Sequence, residues 1–157
     1  MKSIIQIITL SLLIWSCSSQ KQTATNSLEE KTKLVISYSQ LNDSISDLPE
    51  YTIELYSNRQ MYLTASKNMD KQGKYMRTLS EKESDQVIKS FIDANFFKFQ
   101  SEYTRSIEKQ PSHILYFSYN GNEKKVKFYD GSNEYLTELE YLMQSFLDRV
   151  GWEKMSW

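Results

Sequence analysis

The chemistry open to this chain is limited by its few strong nucleophiles and metal ligands. It contains one cysteine, Cys17, and one histidine, His113, among 157 residues. His113 begins a predicted strand, and no sequence signal places beside it the carboxylate and nucleophile that a catalytic histidine needs. A metal site would also call for further histidines or cysteines. We therefore predict a structural role for His113, no catalytic residue, no metal site and no cofactor.

Cys17 stands at the end of a distinctive N-terminal pattern. Lys2 precedes an apolar run from Ile4 to Trp15, and Ser16 is a small residue directly before the cysteine. A cation, a short apolar core and a small residue are the parts of a secretory signal peptide. The apolar run is shorter than the ~20 residues that a transmembrane helix needs. This pattern resembles the bacterial lipoprotein signal, in which the thiol is acylated and the chain is cut just before it.

We therefore expect a signal peptide at 1–16, a lipid (palmitate) on Cys17, and an acylated, flexible tether at 17–32. Acylation would leave no thiol for a disulfide, a thiolate metal site or a cysteine nucleophile. Two or more acyl chains hold a protein durably on a bilayer. An ordinary secretory signal, which is removed and leaves a soluble protein, is the alternative.

The residues after Cys17 bear on the compartment. Ser18 follows the cysteine, where an aspartate would argue against the outer membrane by analogy with known lipoproteins. No acidic cluster comes directly after the cysteine to suggest display on the cell surface. We expect a bacterial outer-membrane lipoprotein that faces the periplasm, with the membrane as one partner.

Charge and glycine content argue against other partners and sites. The chain has 19 basic and 20 acidic side chains, a formal net charge of −1, so nucleic acid is not an expected partner. It has only four glycines, and neither a Walker A motif nor a dinucleotide fingerprint is found. Phosphate-cradling loops are therefore not expected.

The periodicity of apolar residues beyond the tether predicts strands and two helices. The strands are Lys33–Ser39, Tyr51–Tyr56, one between Arg59 and Ser66 that contains Met61 and Leu63, Lys74–Leu79, Ser112–Tyr119 and Glu123–Tyr129. Ser80 and Glu83 form a capping box that begins the first helix, which ends near Asn95. Ser132 caps the second helix, which buries Leu136, Leu139, Leu142, Met143, Phe146 and Val150 and stops at Gly151.

The order β-β-β-β-α-β-β-α predicts a single α+β domain at 33–157. We expect a two-layer sandwich in which two helices cover one face of an antiparallel sheet of about five or six strands. A three-residue turn that ends at Arg59 pairs Leu55 with Met61, and it needs Arg59 in a left-handed conformation. Asn120-Gly121 predicts a type I′ hairpin.

One sheet face is expected to remain open, and it carries tyrosines beside charges. Its residues are Glu54, Tyr56, Tyr62, Tyr116, Lys125 and Lys127. Aromatic rings with polar tips could bind a glycan, a peptide or a protein of the cell envelope. A plain solvated face, in which tyrosine serves strand propensity and cross-strand pairing, is the alternative.

Three further hypotheses stay open. The long loop Gln100–Pro111 could form a recognition edge with Glu102, Tyr103, Arg105 and Glu108, or it could be merely flexible. An exposed edge strand could accept a partner strand. An enzyme, such as a hydrolase that uses carboxylates or tyrosines on the open face, is the alternative to a binding or scaffolding module. The carboxylate pairs Glu81/Asp85 and Glu134/Glu138 lie near helix starts and are interpreted as structural.

From Leu34 to Trp152 the chain resembles an uncharacterised domain family of envelope lipoproteins from the Bacteroidetes group. The hallmark of that family is Cys-Phe-Gly-x-Cys-Pro-x-Tyr leading into a strand. Pro49 and Tyr51 match this hallmark, whereas Ser44 and Leu48 replace its cysteines and Ser46 replaces its glycine. Whatever the cysteine pair does in the family, this chain cannot do it, and the resemblance implies no activity.

Overall fold

A computed structural model describes residues 32–42, 47–103 and 111–156. The predicted signal peptide, Cys17 and all of the tether but its last residue lie outside these residues. So do Ser44 and Ser46 of the hallmark stretch, and Arg105 and Glu108 of the predicted recognition edge. Among the described residues, no helix combines the length and apolar character that crossing a membrane requires.

Seven strands form one antiparallel sheet in the order β6-β5-β1-β2-β3-β4-β7. The strands are β1 Leu34–Leu41, β2 Glu50–Tyr56, β3 Gln60–Lys67, β4 Gly73–Thr78, β5 Ser112–Tyr119, β6 Asn122–Phe128 and β7 Glu153–Lys154. The helices are α1 Glu81–Asp93 and α2 Glu134–Gln144, with a short 3-10 helix at Phe96–Lys98. The predicted α+β fold is confirmed, and the bounds of most predicted elements shift by only one or two residues.

The core forms where the two helices pack on one sheet face. Val87 and Phe91 of α1 and Leu136 and Met143 of α2 are buried in one apolar cluster. The cluster also contains alternate residues of the strands: Ile36, Tyr38, Ile53, Leu55, Met61, Leu63, Leu115, Phe117, Val126 and Phe128. Because successive strand residues point to opposite faces, the intervening residues lie on the face that the helices leave open.

Both predicted hairpin registers are confirmed. Leu55 pairs with Met61 and Glu54 with Tyr62 across the first turn. Arg59 takes the left-handed conformation that this register requires, with a φ of 66°. Asn120 and Gly121 have φ values of 50° and 78°, as a type I′ turn demands.

The sequence predicted five or six strands, and β7 is an additional strand that was not predicted. Lys154 pairs with Tyr75 of β4, and the amide of Met155 donates to the carbonyl of Lys74 at 2.9 Å. The Trp152 indole N–H donates to the carbonyl of Phe146 at 2.8 Å. The pairing of Lys154 and Met155 therefore covers β4, which would otherwise form the sheet edge.

The predicted extent of α2 is wrong at both ends. Asn133, not Ser132, is its N-cap, and the Asn133 side chain accepts from the amide of Leu136 at 3.2 Å. The helix stops at Gln144 because the following residues form tighter turns, such as the bond from the Leu147 amide to the carbonyl of Gln144 at 2.9 Å. Val150 is therefore 91% exposed instead of buried.

The Asn133 N-cap should contribute measurably to the stability of the domain. Asn133→Ala should lower the free energy of unfolding by about 1 kcal/mol, because a cap oxygen satisfies a free helix amide. Ser132→Ala should change it little, because the Ser132 hydroxyl has no hydrogen-bond partner among the described residues. Urea unfolding of both variants measures the difference. A larger loss for Ser132→Ala would contradict the cap assignment.

Candidate functional site

Four of the six predicted binding residues, Glu54, Tyr62, Tyr116 and Lys125, lie in one row that crosses the open face of the sheet. Tyr116 is opposite Lys125 on one side and Ser37 on the other. Ser37 is opposite Glu54, and Glu54 is opposite Tyr62. Neighbouring strands therefore place these five side chains side by side on one surface.

Tyr56 and Tyr62 form the aromatic centre of one half of this face. Their ring centroids are 5.4 Å apart in an edge-to-face arrangement. The Tyr62 hydroxyl donates to the Gln60 side chain at 2.9 Å, and the Lys74 ammonium lies 5.8 Å from the Tyr62 ring. Both rings are half-buried and held by neighbours, so little conformational entropy would be lost when a ligand binds to them.

Tyr116 and Lys125 form the other half. Three inter-strand spacings separate Tyr116 from Tyr62, which is about 14 Å. Lys127 lies in the next row, opposite Ile114, and its ammonium lies 5.9 Å from the Tyr129 ring. The six predicted residues are therefore spread over a broad surface and do not converge on one point.

The Tyr56 and Tyr116 hydroxyls are hydrogen-bond donors at neutral pH. Burial, followed by the charge of Glu54, raises the pKa of Tyr56. Burial also raises the pKa of Tyr116. Both groups therefore stay protonated and present an O–H together with a ring face.

The loop that begins at Gln100 is held to the sheet at its start. The amide of Tyr103 donates to the carbonyl of Lys127 at 2.9 Å, and the amide of Lys127 donates to the carbonyl of Ser101 at 2.9 Å. Glu102 forms a parallel bridge with Lys127. The described beginning of the predicted recognition edge is therefore ordered against β6.

A second group of polar residues lies in the helix-covered layer, and the sequence did not predict it. We name it the His113 cluster; it comprises Tyr38, His113, Asp130, Glu140 and Gln144. Nδ1 of His113 is 3.0 Å from the Tyr38 hydroxyl and 3.3 Å from Oε1 of Glu140. Gln144 donates to the Tyr38 hydroxyl at 3.1 Å and to Oε1 of Glu140 at 3.0 Å. The fold thus places beside His113 the carboxylates that do not lie near it in the sequence.

Burial sets the protonation of the His113 cluster. It raises the pKa of Glu140 to about 7, with a further contribution from the charge of Asp130. It lowers the pKa of His113, although Asp130 opposes this shift. It also raises the pKa of Tyr38, whose hydroxyl therefore stays protonated and donates to Glu140 at 3.3 Å.

A pH dependence of stability follows from Glu140. Its pKa is raised above the unfolded value, so its stabilising contribution is present at low pH and is lost as pH rises through about 7. Unfolding is measured for the wild type and for Glu140→Gln in the presence of a metal chelator. Between pH 6 and pH 8 the wild type should lose about 1 kcal/mol of unfolding free energy relative to Glu140→Gln. A pH-independent difference in urea unfolding would contradict the raised pKa.

One buried atom of the cluster, Oε2 of Glu140, lacks a hydrogen-bond partner among the described residues. Nε2 of His113 lies 2.9 Å from Oδ1 of Asp130, close enough for an ion pair when the imidazole is protonated. His113, Asp130 and Glu140 each offer a metal-ligand atom within 4.8 Å of the other two. This arrangement could hold a cation.

Polar residues on apolar faces are the sequence signal that would have revealed this cluster. Glu140 interrupts the buried stripe Leu136, Leu139, Met143 of α2. His113 shares the inward face of β5 with Leu115 and Phe117. A buried carboxylate is rare unless it is paired, so Glu140 implied a partner.

The hallmark tyrosine of the family resemblance lies beside this cluster. Tyr51 is buried, and its ring packs edge-on against Tyr38 with centroids 5.8 Å apart. Its hydroxyl donates to the Gln40 side chain at 3.4 Å. Burial raises the pKa of Tyr51 to about 12.

Comparison with known proteins establishes a family and no activity. No curated protein matches the chain. A family model described as Domain of unknown function (DUF6438) matches residues 45–147, most of the stretch for which a resemblance was predicted. The Bacteroidetes source, the lipid anchor and the cysteine hallmark stay predictions. Because the family model matches more than half of the chain, the chain belongs to the DUF6438 family.

Proposed function

We propose that this protein is a cell-envelope lipoprotein, anchored through Cys17, whose open sheet face binds an envelope polysaccharide. The N-terminal pattern of a cation, a short apolar run and a small residue before Cys17 supports the anchor. On this proposal, the outer membrane is the site of attachment and the domain faces the periplasm. The protein is a binding module, not an enzyme.

The row of side chains across the open face is the observation that carries the proposal. It places Tyr62 and Tyr116 on one surface, about 14 Å apart, with Ser37 and Glu54 between them. No described element packs over these strands on that side. An open sheet surface with two separated aromatic groups suits an extended ligand better than a small molecule that needs enclosure.

The chemistry of the face favours a glycan over a peptide. The apolar C–H face of a sugar ring packs on an aromatic ring, and its hydroxyls exchange hydrogen bonds with polar side chains. Ser37 lies between Tyr116 and Glu54, and Ser39 and Thr52 of the next row are joined at 3.0 Å. Charges of both signs, from Glu54 and Lys125, lie on the same surface.

The test is co-sedimentation of the full chain, kept in detergent, with insoluble peptidoglycan sacculi. The wild type should sediment with the sacculi. The double variant Tyr62→Ser/Tyr116→Ser should bind about thirtyfold more weakly, because each hot-spot side chain contributes more than ~1 kcal/mol. Circular dichroism should show an unchanged fold, since both side chains lie outside the core cluster.

The chain offers a matched control in the helix layer. Tyr135 and Tyr141 of α2 are 58% and 64% exposed. Tyr135→Ser/Tyr141→Ser removes the same chemistry from the opposite layer and should leave sedimentation unchanged. Equal retention of both double variants would reject the open face as the site. A wild type that ignores sacculi but captures an envelope protein through Tyr62 and Tyr116 would replace the glycan with a protein partner.

A further inference from the structure

The His113 cluster contains a buried carboxylate whose polar atoms are not all satisfied by hydrogen bonds. Glu140 is 3% exposed and His113 is 2% exposed, yet Oε2 of Glu140 has no hydrogen-bond partner among the described residues and Nε2 of His113 faces Asp130. A buried polar atom without a partner is costly and needs a specific explanation. The proposed glycan-binding face lies on the other side of the sheet and does not use these atoms.

The contact between His113 and Asp130 brings two potential metal ligands together. Oδ1 of Asp130 lies 2.9 Å from Nε2 of His113. Two ligand atoms that each lie about 2.0–2.1 Å from one tetrahedral zinc ion are roughly 3.3–3.4 Å apart. A small outward movement of the exposed Asp130 side chain would therefore let both atoms bind one ion. Glu140 completes the set, because the three residues offer ligand atoms within 4.8 Å of one another.

We propose that His113, Asp130 and Glu140 form a binding site for a divalent transition-metal ion, with Zn²⁺ as the most suitable probe. The ligands are Nε2 of His113, Oδ1 of Asp130 and Oε2 of Glu140. One imidazole and two carboxylates are suitable ligands for Zn²⁺, which uses three protein ligands and a water in its open sites. This proposal revises the prediction that the chain has no metal site.

The other atoms of the cluster orient these ligands. Metal binding through Nε2 leaves the proton of His113 on Nδ1, which faces the Tyr38 hydroxyl and Oε1 of Glu140. Oε1 also accepts from Tyr38 and from Gln144. Oε1 is thus fully engaged while Oε2 is free, as expected of a carboxylate that is fixed by hydrogen bonds through one oxygen and binds an ion through the other.

Asp130 lies where a metal ion could enter the site from solvent. Its side chain is 58% exposed, whereas Glu140 and His113 lie beneath the surface. An ion can therefore reach the buried ligands past Asp130. A bound cation would also compensate the negative charge of Glu140, whose burial is otherwise unfavourable.

The first test is zinc binding by the full chain, purified in detergent without a histidine tag and stripped with a chelator. Isothermal titration should show one Zn²⁺ per chain. Zinc at 100 times its dissociation constant should raise the melting temperature by about 5 °C or more, because the ion binds the folded state preferentially. Because His113 is the only histidine, ¹⁵N-histidine labelling gives a single imidazole, whose Nε2 resonance should shift on zinc addition.

Substitutions locate the site without removing the histidine. Asp130→Asn and Glu140→Gln preserve shape and should each weaken zinc binding at least tenfold. Asp148→Asn and Glu138→Gln make the same changes at positions outside the cluster and should bind zinc as the wild type does. A His113 resonance that ignores zinc would overturn the proposal, and so would equal affinity in all four variants. Glycan binding is measured separately, so its failure would leave this result unaffected.

Discussion

Replacing Cys17 by alanine should move the protein from the membrane fraction to the soluble fraction. The expected effect is nearly complete, because a peptide chain without its acyl groups keeps no durable hold on a bilayer. The apolar run Ile4–Trp15 is too short to replace the anchor by spanning the membrane, which takes ~20 residues. Radiolabelled palmitate should mark the wild type and leave Cys17→Ala unlabelled.

Ser18→Ala provides the control, because it alters the neighbouring residue and keeps the thiol. This variant should retain the label and the membrane fractionation of the wild type. If palmitate fails to mark the wild type and Cys17→Ala fractionates identically to it, the lipoprotein proposal is wrong. The alternative of a removed signal and a soluble protein would then stand.

Phe117→Ala should strongly destabilise the folded domain. Phe117 is fully buried in β5, and its ring lies 5.1 Å from that of Phe91 and 5.3 Å from that of Phe97, centroid to centroid. Removing a buried phenylalanine ring costs about 3–5 kcal/mol, from lost transfer energy and the cavity that remains. That is a large part of the roughly 5–15 kcal/mol typical of a folded domain.

Tyr119→Ala is the matched control on the same strand. Its ring stacks on Phe117 with centroids 5.8 Å apart but is 38% exposed, so its loss should cost much less. Urea unfolding of both variants gives the comparison. A Phe117→Ala chain as stable as Tyr119→Ala would show that the two layers are not joined through this aromatic group.

Local patterns predicted the strands and their hairpin registers well. A one-residue slip at Arg59 would have paired Leu55 with Tyr62 and turned Met61 to the opposite face, so burial selected the register that the structure shows. Asn120-Gly121 defined the second hairpin because few sequences accept two successive positive φ values. Ser80 and Glu83 defined the start of α1 through side-chain bonds to nearby backbone. These features depend on neighbours in sequence.

The features that the sequence did not predict depend on tertiary contacts. β7 forms because residues next to Met155 pair with β4, a strand about 80 residues earlier in the chain. The apolar period that predicted Val150 as buried cannot detect the end of α2. Tyr38 is 75 residues from His113 and 102 residues from Glu140 along the chain. Motif spacing within one segment cannot bring such residues together. Only the sheet order and the packing of α2 do so.

The central claim is that the open sheet face is the surface that binds an envelope glycan. Ring-labelled tyrosine, observed by NMR in the full chain with solubilised peptidoglycan fragments, tests it most directly. The ring signals of Tyr62 and Tyr116 should shift together as fragments are added, while those of Tyr135 and Tyr141 stay unchanged. Shifts confined to Tyr135 and Tyr141, or no shift at any of the four rings, would contradict the account.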